Sequence, residues 1–151
     1  MLLSELLTPE RVRIPLQARD KRGIVRELSQ LLVDTAGGQL DDVVSAVEER
    51  EALLSTGIGF GVAIPHGRAP SVPDLAVVCG TTPEPVAFDA IDGQPVRLFF
   101  MLVGPERCAG LHEKALGRLA RLVRSESLRG RLLAAPTPAE FFGVISEAEV
   151  A

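Results

Sequence analysis

The chain has 151 residues, enough for one domain with one sizeable core. Its hydrophobic share of 46% and charged share of 24% are those of a soluble globular protein, and a net charge of −4 argues against nucleic-acid binding, which needs a basic face. The longest apolar run, Leu98 to Val103, is far short of the roughly 20 residues of a membrane span. The amino terminus lacks the charged and apolar regions of a signal peptide, and Cys79 and Cys108 form no metal or redox spacing. A cytoplasmic protein with no membrane insertion is therefore expected.

Leu2 to Leu7 suits a short helix that stops at Thr8-Pro9, and Val12 to Leu16 reads as a strand whose Pro15 marks an edge or an end. Asp20 to Ala36 is a helix: Ile24, Val25, Leu28, Leu31 and Leu32 recur on one helical face, and Gly37-Gly38 ends it. Asp41 to about Leu54 is a second helix with Asp41 as its cap. Ser55 to Gly61 reads as a small flexible loop, and Val62 to Ile64 as a short strand with His66 just beyond its end. Leu75 to Thr81 and Val96 to Val103 are strand-length apolar runs, with Cys79 a small core residue. Between them, Asp89 and Asp92 flank an Asp-Gly turn and are expected to make turn hydrogen bonds rather than an acid–base pair. His112 to Arg124 is a helix with apolar positions 115, 116, 119, 122 and 123, and with Lys114, Arg118 and Arg121 opposite. Ser125 caps a helix through about Ala134. The capping box Thr137-Pro138-Ala139-Glu140 opens the last helix, whose apolar face is Phe141, Val144, Ile145 and Ala148.

No repeat, low-complexity tract or linker divides the chain, so residues 1–151 are expected to form one domain. Strands with little alternation of polarity imply a sheet covered on both faces. The order of elements predicts a three-layer α/β/α sandwich around a mixed central sheet.

The chemistry concentrates in residues 50 to 67, which hold His66 between Pro65 and Gly67. Imidazole changes charge near neutral pH and is nucleophilic when neutral. Pro65 fixes its own φ and restricts Ile64 to extended geometry, while Gly67 is expected to leave room beside the ring for a bulky group. His112 begins a helix, where an anion is favoured. The adjoining Glu113 is expected to raise the proton affinity of that ring. Arg50 falls on the stripe Val43, Val47, Arg50, Leu54, and its guanidinium fork matches phosphate oxygens. Ser55, Thr56 and Gly57 are candidates to offer hydroxyls and N–H groups to a phosphate, although the loop lacks the Lys-Ser/Thr ending of a nucleotide P-loop. No metal ligand spacing is present, and no cofactor is expected.

The run Glu51, then Ile58-Gly59, then Val62-Ala63-Ile64-Pro65-His66-Gly67 resembles the active-site signature of enzyme IIA domains of the bacterial phosphoenolpyruvate-dependent sugar phosphotransferase system. The likeness is to the mannitol/fructose class. The free-standing chain, the Pro-His-Gly-Arg ending and Phe-Asp-Ala-Ile-Asp point to its nitrogen-regulatory branch. The resemblance implies the same sandwich fold. It also implies that His66 is phosphorylated by a histidine-containing phosphocarrier protein (HPr or its nitrogen-branch equivalent), on the ring nitrogen far from the backbone. His112 and Arg50 would stabilise the phosphoryl charge. Phosphorylation would then change binding to regulatory targets. A second reading is a fructose- or mannitol-type enzyme IIA that passes the group to an enzyme IIB. A third is a non-catalytic binding protein on the same fold. Transient docking implies an apolar face around His66, for which Ala63, Ile64 and residues 69 to 73 are candidates.

Overall fold

The computed structural model describes residues 1–150. Among these, the chain runs α1 (Leu3–Leu6), a 3-10 turn (Pro9–Arg11), β1 (Val12–Arg13), α2 (Lys21–Ala36) and α3 (Leu40–Leu53). Three short strands and two longer ones follow: β2 (Gly57–Gly59), β3 (Val62–Ala63), β4 (His66–Arg68), β5 (Ala76–Val86) and β6 (Val96–Gly104), the last leading through a second 3-10 turn. The chain closes with α4 (Ala109–Leu122), α5 (Glu126–Ala134) and α6 (Pro138–Val150).

The strands form one mixed sheet in the order β1-β5-β6-β3-β2. β5 and β6 are antiparallel, as are β2 and β3, whereas β1 is parallel to β5 and β3 to β6. β4 continues β3 along the same side of β6, with His66 opposite Leu102 and Gly67 opposite Val103. Side chains of a strand alternate between faces, and β6 divides its own between two cores. Leu98, Phe100 and Leu102 pack with Ala115, Leu119, Leu132, Phe141 and Ile145 of α4 to α6. Phe99, Met101 and Val103 pack with Ile24, Leu28, Leu32, Val43 and Val47 of α2 and α3. The result is the expected three-layer sandwich, and Cys79 is buried in its core.

The helix ends follow local chemistry. Asp20 caps α2 by accepting from the Gly23 N–H at 2.8 Å, and the Ser125 hydroxyl accepts from Leu128 N–H at 3.2 Å. Thr137 Oγ1 accepts from Glu140 N–H at 3.2 Å. Asp41 does not cap α3. That helix begins at Leu40 after Gln39, and Asp41 and Asp42 sit in its first turn, where their charge suits the helix dipole. β1 is shorter than expected because Pro15 has no N–H to donate, although Leu16 N–H still reaches Thr81 O at 2.8 Å. β1 does lie at the sheet edge.

The stretch expected as a flexible loop is instead a hairpin. β2 and β3 are joined by Phe60 and Gly61, both at positive φ (61° and 75°), which is the pattern of a type I′ turn. Phe60 is held there by a hydrogen bond from its N–H to Asp92 Oδ2 (3.2 Å), and Arg129 lies over its ring at 4.7 Å. Asp92 also accepts from Gln94 N–H at 3.0 Å, while Asp89 pairs with Lys21 at 3.3 Å. No helix among the described residues is long and apolar enough to cross a membrane.

Candidate functional site

His66 opens β4 at the end of a tightly held run. Ile64 N–H donates to Thr56 O at 2.9 Å, and Pro65 O accepts from Leu102 N–H at 3.0 Å. The His66 ring turns Nδ1 back to the Ile64 carbonyl oxygen at 2.8 Å. A carbonyl only accepts, so Nδ1 carries the proton and Nε2 presents its lone pair outward.

His112 lies in the first turn of α4, which begins at Ala109, three residues earlier than expected. Its ring is 5% exposed and meets His66 edge to face, with centroids 5.6 Å apart and planes at 66°. Both rings line an open cleft of about 450 Å³, together with Ala46, Glu49, Arg50, Leu53, Gly67, Arg68, Glu113 and Leu116. The two histidines and Arg50 are thus brought together from β4, α4 and α3.

Arg50 is not on the buried stripe of α3. That stripe is Val43, Val44, Val47 and then Glu51, and Leu54 is 64% exposed. Arg50 instead stands at the cleft wall, where Nη1 donates to Leu54 O at 2.8 Å and steadies the helix end.

Arg68, which the sequence marks only as the end of Pro-His-Gly-Arg, reaches the cleft. It lies two residues past His66 on one strand, hence on the same face. Its Nη1 donates to both oxygens of Glu106, at 2.9 and 3.1 Å. The period of two was the available signal, but the shortness of β4 hid it.

Gly67 serves packing rather than room beside the ring. A Cβ there would meet the Ala46 carbonyl carbon at 2.9 Å and its oxygen at 3.0 Å, so glycine lets α3 cross close over β4. Ser55, Thr56 and Gly57 line an adjoining depression shared with Arg50, Ile64 and His66. Their polar groups are already engaged. Thr56 is buried and gives both its N–H and its hydroxyl to Glu51. The Ser55 hydroxyl donates to Phe88 O at 2.8 Å and accepts from Gly57 N–H at 3.1 Å. The expected offer of these groups to a phosphate does not match this geometry.

The electrostatics favour neutral rings. Burial lowers the proton affinity of His66, the Arg50 and Arg68 charges add to it, and the Ile64 carbonyl and Glu51 oppose it. Burial, His66 and Arg68 push the pKa of His112 down to about 4. This is opposite to the rise expected from Glu113, which is exposed and surrounded by water. A neutral His66 is the nucleophilic form.

Of the apolar residues expected on a docking face, Ala63, Ile64, Ala69 and Val72 are buried, while Pro70 and Pro73 are exposed. The exposed apolar side chains beside the cleft are Leu53 (83%), Leu54 and Ile91 (71%).

Residues 5–148 match the family model described as phosphoenolpyruvate-dependent sugar phosphotransferase system, EIIA 2. The chain is 32% identical over 146 residues to a nitrogen regulatory protein of Bradyrhizobium diazoefficiens, covering 97% of this chain and 95% of that one. It is 34% identical over 150 residues to the PTS system fructose-specific EIIABC component of Bacillus subtilis, covering 97% of this chain but 23% of that longer protein. Among solved structures, Nitrogen Regulatory Protein IIA-Ntr from Neisseria meningitidis is similar with a TM-score of 0.89 and 34% identity, covering 95% of this chain and 98% of that one.

Proposed function

The chain belongs to the phosphoenolpyruvate-dependent sugar phosphotransferase system EIIA 2 family, and on that premise we propose that it is a phosphocarrier that accepts a phosphoryl group on His66 and acts in regulation by that system. The likeness to nitrogen regulatory proteins supports the regulatory role. The observation that carries the chemistry is the Nδ1–H of His66 tied to Ile64 O, which turns Nε2 toward a cleft walled by His112, Arg50 and Arg68.

In the step we propose, the Nε2 lone pair attacks phosphorus on the phosphohistidine of a donor protein. The new N–P bond forms as the donor's N–P bond breaks, and that electron pair returns to the donor's ring nitrogen. The Nδ1 proton stays in place, and the Ile64 carbonyl stabilises positive charge developing on the ring. Arg50 and Arg68 neutralise the phosphoryl oxygens through charge-assisted hydrogen bonds. His112 arrives as a neutral donor, and the incoming negative charge raises its proton affinity. Catalysis is positioning and charge neutralisation.

The donor is a histidine-containing phosphocarrier protein, docking transiently on the apolar surface of Leu53, Leu54 and Ile91. A cytoplasmic setting accords with the two unpaired cysteines. Identity to a fructose-specific component favours one further reading, in which the group passes on to an enzyme IIB.

The test is intact mass after incubation with phosphoenolpyruvate, enzyme I and the histidine carrier protein. We expect a gain of one acid-labile phosphoryl group that His66→Ala abolishes; no gain in the parent protein overturns the proposal. Transfer of label from the phosphoprotein to an enzyme IIB separates the transport reading from the regulatory one.

A further inference from the structure

We propose that Glu51 is a positioning residue for His66, acting through Thr56 and the Ile64 peptide to hold Nδ1–H and so aim Nε2. The inference rests on the phosphocarrier reading for its catalytic consequence, but the geometry is independent of it.

Glu51 is an acidic side chain at the end of α3, 8% exposed, on the face where apolar residues precede it. A buried carboxylate is costly unless it is paired and fully hydrogen-bonded. Here it is both. Lys21 Nζ lies 2.9 Å from Oε2. Thr56 donates its N–H to both oxygens, at 3.1 and 3.0 Å, and its hydroxyl to Oε1. Burial raises the carboxyl's pKa, but the Thr56 and Lys21 hydrogen bonds outweigh it, so the group stays below its ordinary value and is ionised at neutral pH.

Two donors from one residue on one carboxylate fix the orientation of Thr56. Its carbonyl then accepts from Ile64 N–H at 2.9 Å. Ile64 is clamped on its other side by Pro65, whose own carbonyl is held by Leu102 N–H at 3.0 Å. The Ile64 carbonyl therefore has one direction, and His66 Nδ1 is 2.8 Å from it. Glu51, Thr56, Ile64 and His66 form a continuous relay. Lys21, the first residue of α2, anchors its far end and also pairs with Asp89. Removing the carboxylate frees the Thr56 peptide, loosens the Ile64 carbonyl and lets the imidazole proton move to Nε2, where it blocks attack.

The experiment compares Glu51→Gln, Thr56→Val and Thr56→Ser with the parent protein. The His66 tautomer is read by nitrogen-15 NMR of the imidazole, and phosphorylation by the phosphorylated histidine carrier protein. In Glu51→Gln and Thr56→Val we expect the Nε2–H tautomer to become populated, with kcat falling about tenfold or more and KM for the donor unchanged. Thr56→Ser, which keeps the hydroxyl, should recover most of the loss seen in Thr56→Val. A folded Glu51→Gln or Thr56→Val protein that keeps the parent tautomer overturns the proposal, even if its rate falls, because the residue then serves stability alone. If the parent protein accepts no phosphoryl group, the phosphocarrier reading fails, while the tautomer measurement still decides the role of Glu51.

Discussion

The ring of His112 stands edge-on to that of His66, with 5.6 Å between centroids and 66° between planes. Two imidazolium cations so placed, with Arg68 beside them, would repel one another. Burial and this repulsion both favour the neutral rings, and protonation of His66 opposes protonation of His112.

This arrangement gives stability a definite pH dependence. Unfolded, His112 titrates near its ordinary value; folded, it titrates at about 4. Between those values the unfolded chain binds more protons. The contribution is complete above about pH 6.5 and is lost as pH falls toward 4, amounting to at most roughly 3 kcal/mol. His66, also lowered, adds in the same direction. Denaturant unfolding at about pH 7.5 and about pH 5 should show the drop, and His112→Gln should flatten it.

His112→Ala should still accept phosphate, because Nε2 of His66 is set by Ile64 and not by His112. Acceptance should slow by between about 10- and 100-fold, the scale of removing one preorganised donor, and the phosphoprotein should hydrolyse faster. Single-turnover labelling followed by a chase measures both. Parent-like kinetics would assign His112 to packing.

Arg68→Ala removes a positive charge that lowers the proton affinity of both rings. Both histidine titrations should move upward in NMR, His66 and His112 together. The same variant should lose phosphoryl acceptance if the guanidinium leaves its exposed, weakly held partner Glu106 for the phosphoryl oxygens. Unmoved titrations would remove Arg68 from the site.

Gly67→Ala should be destabilising by about 1–3 kcal/mol, as for other overpacked sites. Its Cβ meets α3 backbone at 2.9 Å, and backbone yields less readily than a side-chain end. Pushing α3 away also displaces Arg50, so phosphorylation should slow beyond what the fall in Tm explains. Thermal unfolding and labelling on one preparation test both.

Leu53→Asp should leave Tm nearly unchanged, since Leu53 is 83% exposed. It should raise KM for the histidine carrier protein with little change in kcat, because it places a charge on the apolar surface proposed for docking. An unchanged KM would move the docking surface elsewhere.

The sandwich was legible because its helices carry strong period and cap signals, as at Asp20 and Ser125, and because β5 and β6 are long apolar runs. His66, His112 and Arg50 stand out by residue type and by the resemblance, and the fold brings them to one cleft. What escaped notice depended on partners far along the chain. The β2–β3 hairpin looks like a loop because its glycines conceal the turn, which Asp92 and Arg129 complete from a distance. Arg68 sits in a strand of three residues, too short for periodicity to register. Glu51 is marked in the sequence as the first residue of the signature, but its partners Lys21 and Thr56 show only once the chain folds around it. The hydroxyls of Ser55 and Thr56 are the types that bind phosphate, but Phe88 and Glu51 claim them first.

β6, flanked by both helical layers and bonded on both sides, is the bar on which His66 is mounted. Amides in such a strand exchange with deuterium only when most of the molecule opens. On the phosphocarrier reading, a dianion placed on the ring should therefore meet a backbone with little freedom to move. A partner that distinguishes the charged from the uncharged form would then do so by the potential over the cleft mouth rather than by a new shape. Ionic strength, which shortens the reach of that potential, becomes the natural dial on the signal.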